Sequence, residues 1–138
     1  MGGYMPPSKS QVHITPQRVY DLIRDKWGWT KMFDPCPVNP KWDALLIDWK
    51  KQNYVNPPYA KDELTAFVEK AVWELENNEH ESIMLLPCKT DQDWFHDIIL
   101  KNDYEIFWIR KRLHFTNNRW ASPAPNFLVK ISSDEWDR

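Results

Sequence analysis

The sequence predicts an α/β sandwich, with a mainly parallel sheet, helices on both faces and a C-terminal antiparallel strand pair. Three observations predict it. Stretches of strand and helix character alternate in the order α-β-x-β-α-β-α-β-β, the pattern of a layered α/β domain. Ile83-Met84-Leu85-Leu86 is a continuous apolar run stopped by Pro87, as expected of a strand covered on both faces. Leu64, Phe67, Val68, Ala71, Val72 and Leu75 recur at helical offsets, so one stripe of a long helix faces a core.

Met1 to Val12 has no hydrophobic period and reads as a loose arm. Thr15 as N-cap and Pro16 at the first helical position open a helix whose buried face is Val19, Leu22, Ile23 and Trp27. Gly28 is placed to end it. Trp29 to Pro35 reads as a short strand burying Met32 and Phe33, with Asp34 at its end, and Pro35 to Pro40 as loop. Within Trp42 to Trp49, Leu45-Leu46-Ile47 fits either a short strand or one helical turn. Tyr54-Val55 leads into Asn56-Pro57-Pro58-Tyr59, and the long helix follows; Glu63, Glu69, Lys70, Glu74 and Glu76 read as its solvated face. Thr90-Asp91 is placed to cap a helix burying Trp94, Phe95, Ile98 and Ile99. His96 there has no evident partner and reads as a surface or core-edge residue. Tyr104 to Ile109 and Phe127 to Ile131 read as the last two strands, joined without a long crossover helix and hence antiparallel, with Asn117-Asn118 in a turn between them. Residues 13–132 form one expected domain and 133–138 a polar tail.

At 138 residues the chain is long enough to bury its own core. A net charge of −2 gives no whole-chain attraction to nucleic acid, so such binding requires a local basic patch. Cys36 and Cys88 lie far apart, with no CxxC and no paired His spacing, which argues for a reducing compartment and against zinc. No apolar run approaches the roughly 20 residues of a membrane span, and no secretory or myristoylation signal stands out. A soluble, intracellular (cytoplasmic) protein is expected. Of the nine tryptophans, some belong in the core and others are free to stack on a ligand.

The chemistry centres on Asn56-Pro57-Pro58-Tyr59. Two prolines after a strand stiffen the backbone, because each ring fixes φ and removes a donor. They hold an amide and an aromatic ring at the carboxyl edge of the sheet, where open α/β sheets bind ligands. The Asn56 amide or a backbone carbonyl can accept from an amino group, and the Tyr59 face can stack on a planar base. Arg110, Lys111, Arg112, His114 and Arg119, interleaved with Phe115 and Trp120, form the one strong basic-aromatic cluster. It suits phosphate contact and base stacking, or equally a solvated edge hairpin whose charges block aggregation.

Taken together, these landmarks resemble the phage-type DNA adenine methyltransferase (Dam-like) family, from about Thr15 to Val129. The matching pieces are Thr15-Pro16, Phe33-Asp34-Pro35-Cys36, Asp43…Leu45…Asp48-Trp49, Asn56-Pro57-Pro58-Tyr59, Leu85-Leu86-Pro87, Thr90-Asp91…Trp94-Phe95-His96 and Arg112-Leu113…Phe115. The resemblance implies a minimal Rossmann-like methyltransferase fold, S-adenosylmethionine as methyl donor, and DNA as partner. It implies catalytic roles for Asn56, Pro57, Pro58 and Tyr59, with the target adenine flipped out of the duplex. It also implies cofactor contacts at Thr15, Pro16, Asp34, Pro35, Cys36 and Asp48, DNA contacts in the basic cluster, no metal, and a phage or viral source. Homo-oligomerisation is left open. Asp34-Pro35 is otherwise an ordinary strand-ending turn, and Asp48 an exposed carboxylate.

The chain departs from many methyltransferases in one respect. Its glycines are Gly2, Gly3 and Gly28, so no glycine-rich loop follows Asp34, and the stretch from Asp34 to Asn56 is short for an adenosine-binding crossover. Two rival readings therefore stand: a catalytically silent nucleic-acid-binding domain of the same fold, and a methyltransferase acting on protein glutamine amides.

Overall fold

The computed structural model describes residues 13–116 and 121–137. The arm at 1–12, the Asn117-Asn118 turn, Arg119 and Trp120 lie outside the described residues.

Helix α1 (Gln17–Trp27) buries Val19 and Ile23 and ends at Gly28, whose φ of 75° lets its N–H reach the Arg24 carbonyl at 2.8 Å. Its start corrects the expectation by one residue. Pro16, not Thr15, is the cap, and no side chain caps the first turn, because the Thr15 hydroxyl is bonded elsewhere.

The strand expected over Trp29–Pro35 reduces to one parallel bridge, Phe33 to Asn53. The chain cannot extend the pairing: Asp34 turns its carboxylate onto the Cys36 N–H at 2.9 Å, and Pro35 and Pro37 have no donor to give. Met32, Phe33 and Asp34 are half-buried. The ambiguous segment is a turn. Asp43 accepts from the Leu46 N–H through its carbonyl (3.0 Å) and from the Leu45 N–H through its carboxylate (2.9 Å), leaving Leu46 82% exposed.

Strand β1 (Gln52–Val55), helix α2 (Lys61–Asn78) and strand β2 (Glu81–Pro87) form a parallel crossover unit. Leu64, Phe67, Val68 and Ala71 are buried as the spacing requires. Glu74, expected on the solvated face, is fully buried and is treated below. A π-helix (Phe95–Leu100) follows, burying Phe95 and Ile99. Neither Thr90 nor Asp91 caps it through a side chain; the Thr90 carbonyl instead accepts from His96 Nε2 at 2.7 Å, which holds that exposed imidazole.

Strands β3 (Glu105–Trp108) and β4 (Asn126–Ile131) complete a four-stranded sheet in the order β1-β2-β4-β3. The expected antiparallel pair β3–β4 is present. The expectation of a mainly parallel sheet is corrected. Three strands point the same way, but β4 enters between β2 and β3 and runs against both, so only β1–β2 pairs in parallel. No helix links β3 to β4 among the described residues, so the chain returns antiparallel.

Residues along the strands alternate between two apolar clusters, as a period of two requires. Val55, Met84, Leu86, Phe127 and Val129 pack with α2 and the π-helix. Tyr54, Ile83, Leu85 and Leu128 pack with α1 and with Ile109, Leu113 and Phe115. Among the described residues, no helix is long and apolar enough to cross a membrane.

Candidate active site

Where β1 ends, Asn56, Pro57 and Pro58 are buried and Tyr59 is half-buried, so the tetrapeptide forms part of the interior at the strand's carboxyl edge. The Asn56 amide is held from one side. Its Nδ2 donates to the His13 carbonyl at 2.9 Å and to Thr15 Oγ1 at 3.2 Å. Thr15 Oγ1 also shares a 2.7 Å hydrogen bond with the Tyr54 hydroxyl. Asn56 Oδ1 is closed off from solvent and has no hydrogen-bond partner among the described residues. Ser82 Oγ and Asn126 Oδ1 are likewise buried without a partner; a buried acceptor without a donor costs about 1–3 kcal/mol, so the Asn56 and Asn126 oxygens, both near Tyr59, can each take a donor.

Tyr59 is fixed at its hydroxyl. The phenol donates to the Leu85 carbonyl at 3.3 Å and accepts from Asn126 Nδ2 at 3.0 Å. Burial raises its pKa far above the usual phenol range, against the lowering effect of Asn126, so it stays neutral. Two rings pack beside it. The His13 imidazole stacks on Phe115 (4.5 Å between centroids, 21° between planes) and lies tilted at 5.5 Å from Tyr59, and Phe115 meets Tyr59 edge-on at 6.4 Å. Burial lowers the His13 pKa, favouring a neutral planar heterocycle in this corner.

Asp34 follows Phe33, whose backbone is bonded to Gln52 and Tyr54 of β1. Burial pushes its carboxyl up to about 6, although the Cys36 amide works against that. Burial also raises the Tyr54 phenol; the Thr15 hydrogen bond opposes the rise, and Tyr20, Tyr59 and Asp34 add to it. Thr15, Tyr54, Asn56 and Asp34 thus share one neighbourhood. Pro16 caps α1, the Pro35 carbonyl accepts from Trp42 Nε1 at 2.8 Å, and the buried Cys36 thiol is pushed up to about 12, mainly by burial. Asp48 falls elsewhere: it is exposed and lines a groove of about 860 Å³ with Leu46, Ala66, Lys70 and Trp73.

The basic cluster follows β3. Arg110, Lys111, Arg112 and His114 are all exposed. Arg112 donates to the carbonyls of Ser122 (3.3 Å) and Pro123 (2.8 Å), while Arg110 and Lys111 line a second groove of about 650 Å³ with Arg18, Leu22, Phe107 and the 56% exposed Trp108. Asp21 and Asp25 line it too, but both are paired with Arg24, at 3.3 and 3.0 Å. Among the described residues no group of three or more His, Cys, Asp or Glu gathers to hold a metal.

The spacing of the sequence missed His13, Tyr54, Phe115 and Asn126 as members of this site. Asn126 carried a signal, a polar residue opening an otherwise apolar strand; His13, at the border of the arm, carried none.

No curated protein and no solved structure matches the chain. A family model does, that of the DNA N-6-adenine-methyltransferases (Dam), over residues 5–126. That span covers most of the sequence, including the buried tetrapeptide, Asp34 and the basic segment, and the chain therefore belongs to the DNA N-6-adenine-methyltransferase (Dam) family.

Proposed function

We propose that this protein transfers a methyl group from S-adenosylmethionine to the adenine amino nitrogen of DNA, on a minimal Rossmann-like methyltransferase sandwich with helices on both faces. The observation that carries this reading is the buried, donor-less Asn56 Oδ1 beside Tyr59 at the carboxyl end of β1. An adenine amino group offers two N–H donors and a lone pair delocalised into the ring. Asn56 Oδ1 and the Pro57 carbonyl take the two hydrogens. These bonds localise the lone pair on nitrogen and strengthen as positive charge develops there; the methyl–sulfur bond breaks as the methyl–nitrogen bond forms, the sulfur keeps the electron pair, and the nitrogen then gives up one of its protons to water. Tyr59, its hydroxyl tied to Leu85 and Asn126, supplies a rigid face against the flipped base. The His13 imidazole, tilted at 5.5 Å from that ring, would have to move aside to admit the base.

A place for the amino-acid end of the methyl donor is supported by one acid. Asp34, half-buried and mostly ionised above its raised pKa of about 6, suits an ammonium group. Thr15, Pro16, Pro35 and Cys36 would flank it, and Asp48 would lie outside it. When bound, S-adenosylmethionine supplies an electrophilic methyl group. Arg110, Lys111, Arg112, His114 and Arg119 would contact DNA phosphates, with Arg18 and Trp108 extending the patch. The silent-domain and glutamine-amide readings are weaker: the intact tetrapeptide argues against the former, and the latter gives the basic groove no role.

The test is transfer of labelled methyl groups to unmethylated DNA. Asn56→Ala is expected to lower the rate by about 10²–10³ while DNA binding, read by filter retention, stays within a factor of about two. Full activity in that variant would sink the mechanism.

A further inference from the structure

We infer that Thr15 is a positioning residue that sets which end of the Asn56 amide faces the acceptor, and so makes the site select an amino-bearing group over a ring carbonyl. The inference rests on the proposed methyl transfer but concerns a residue whose expected role, by resemblance, was cofactor contact.

An asparagine amide is nearly symmetric in shape and opposite in chemistry at its two ends. Turned one way, it offers a carbonyl oxygen, complementary to the amino group of adenine or cytosine. Turned the other way, it offers an NH₂, complementary to the ring carbonyl of guanine, thymine or hypoxanthine. The flip is decided by the neighbours on the closed side. The His13 carbonyl, 2.9 Å from Nδ2, can only accept. Thr15 Oγ1, 3.2 Å from Nδ2, accepts the second amide hydrogen while bonded to the Tyr54 hydroxyl at 2.7 Å. Both amide hydrogens are therefore committed, and Oδ1 is left as the one group Asn56 can present. Tyr54 is fully buried on β1 and anchors Thr15 from the strand that leads directly into Asn56. The lever is short: strand, phenol, hydroxyl, amide.

Thr15→Val keeps the side-chain shape and removes the acceptor. One hydrogen bond on the amide is lost, the His13 bond remains, and the flipped orientation becomes accessible. The expected result is a fall in kcat of about tenfold, the scale of one hydrogen bond, with KM for DNA within about twofold. Thr15→Ser, which restores the hydroxyl, should recover most of the rate; a merely structural contact would not show this split and rescue. An independent readout needs no activity. In ¹⁵N-labelled protein the Asn56 side-chain NH₂ should exchange with solvent far more slowly than those of exposed asparagines such as Asn102, and Thr15→Val should accelerate it. Wild-type kcat in Thr15→Val, or unprotected Asn56 amide hydrogens in the wild type, overturns the inference. Protected amide hydrogens in a wild type that methylates no DNA would instead overturn the proposed function and leave the amide orientation standing.

Discussion

Two buried polar centres lie at opposite ends of the β1–α2–β2 unit, and they are finished differently. Glu74, on the last turns of α2, has every need met. Its carboxylate accepts from Lys70 Nζ at 2.7 Å, His80 Nδ1 at 2.8 Å, the Trp49 N–H at 3.2 Å and Asn78 Nδ2 at 3.4 Å. Burial pushes its pKa up, but these bonds outweigh that, and the net shift is downward. Asn56, at the exit of β1, has its donors bonded and its acceptor left bare. A satisfied buried network fixes structure, whereas a bare buried acceptor (Asn56 Oδ1 here, as also Asn126 Oδ1 beside Tyr59) leaves a hydrogen-bonding position open to a donor. The first centre ties the segment ending at Trp49 to the last turns of α2, and the second leaves an acceptor open.

The largest effect separates the two on stability. Glu74→Ala strands the Lys70 ammonium and the Trp49 N–H, and should cost about 3 kcal/mol in urea unfolding. Methyl transfer measured well below the transition should stay near wild type. Asn56→Ala should do the reverse, losing activity while unfolding within about 1 kcal/mol of wild type, since it removes the orphan together with its two bonds. If both variants lose stability equally, the contrast fails.

Asp34 sharpens the contrast through pH. Its pKa is raised to about 6 in the fold, above the unfolded value, so the cost of ionising it is absent in acid and grows as pH rises through the folded pKa. Asp34→Asn should therefore stabilise the ligand-free protein at pH 7 by up to about 2 kcal/mol and have little effect near pH 3.5, as followed by unfolding at each pH. Wild-type affinity for S-adenosylmethionine, read by calorimetry, should fall on acidification through about pH 6, and the variant should bind weakly throughout. A pH-independent affinity would remove Asp34 from the cofactor site.

The smallest effect concerns the surface. Arg110→Ala should weaken DNA binding a few-fold and reduce the slope of log affinity against log salt by about 1. An unchanged slope would leave the cluster as a solvated edge.

Where pattern alone decides, the sequence was legible. The α2 stripe, the buried run of β2, the Gly28 stop and the β3–β4 pair all follow from local periodicity or a residue's own backbone preference. What stayed hidden depended on distant partners. Glu74 carries the same label as the exposed Glu69 and Glu76, and only His80, Lys70 and the Trp49 backbone make it a buried residue. Asp34-Pro35-Cys36 looked like the end of a strand because Met32-Phe33 is apolar; the carboxylate's bond to its own backbone two residues on competes with pairing and won. The tetrapeptide announced itself, but the His13 and Thr15 atoms that orient Asn56 come from 43 and 41 residues away, beyond any local pattern.

The placement of β4 has a consequence for how this protein is made. The last strand in the chain lies between β2 and β3, and β3 touches the sheet only through it. A ribosome that has released β1, α2 and β2 can let that parallel unit begin to close, but β3 must wait as an unpaired aromatic segment, Glu105–Trp108, until Ile131 has emerged. Chains interrupted before residue 126 would carry that segment with only α1, through Trp27 and Lys26, to hold it, and would be natural targets for chaperones and proteases.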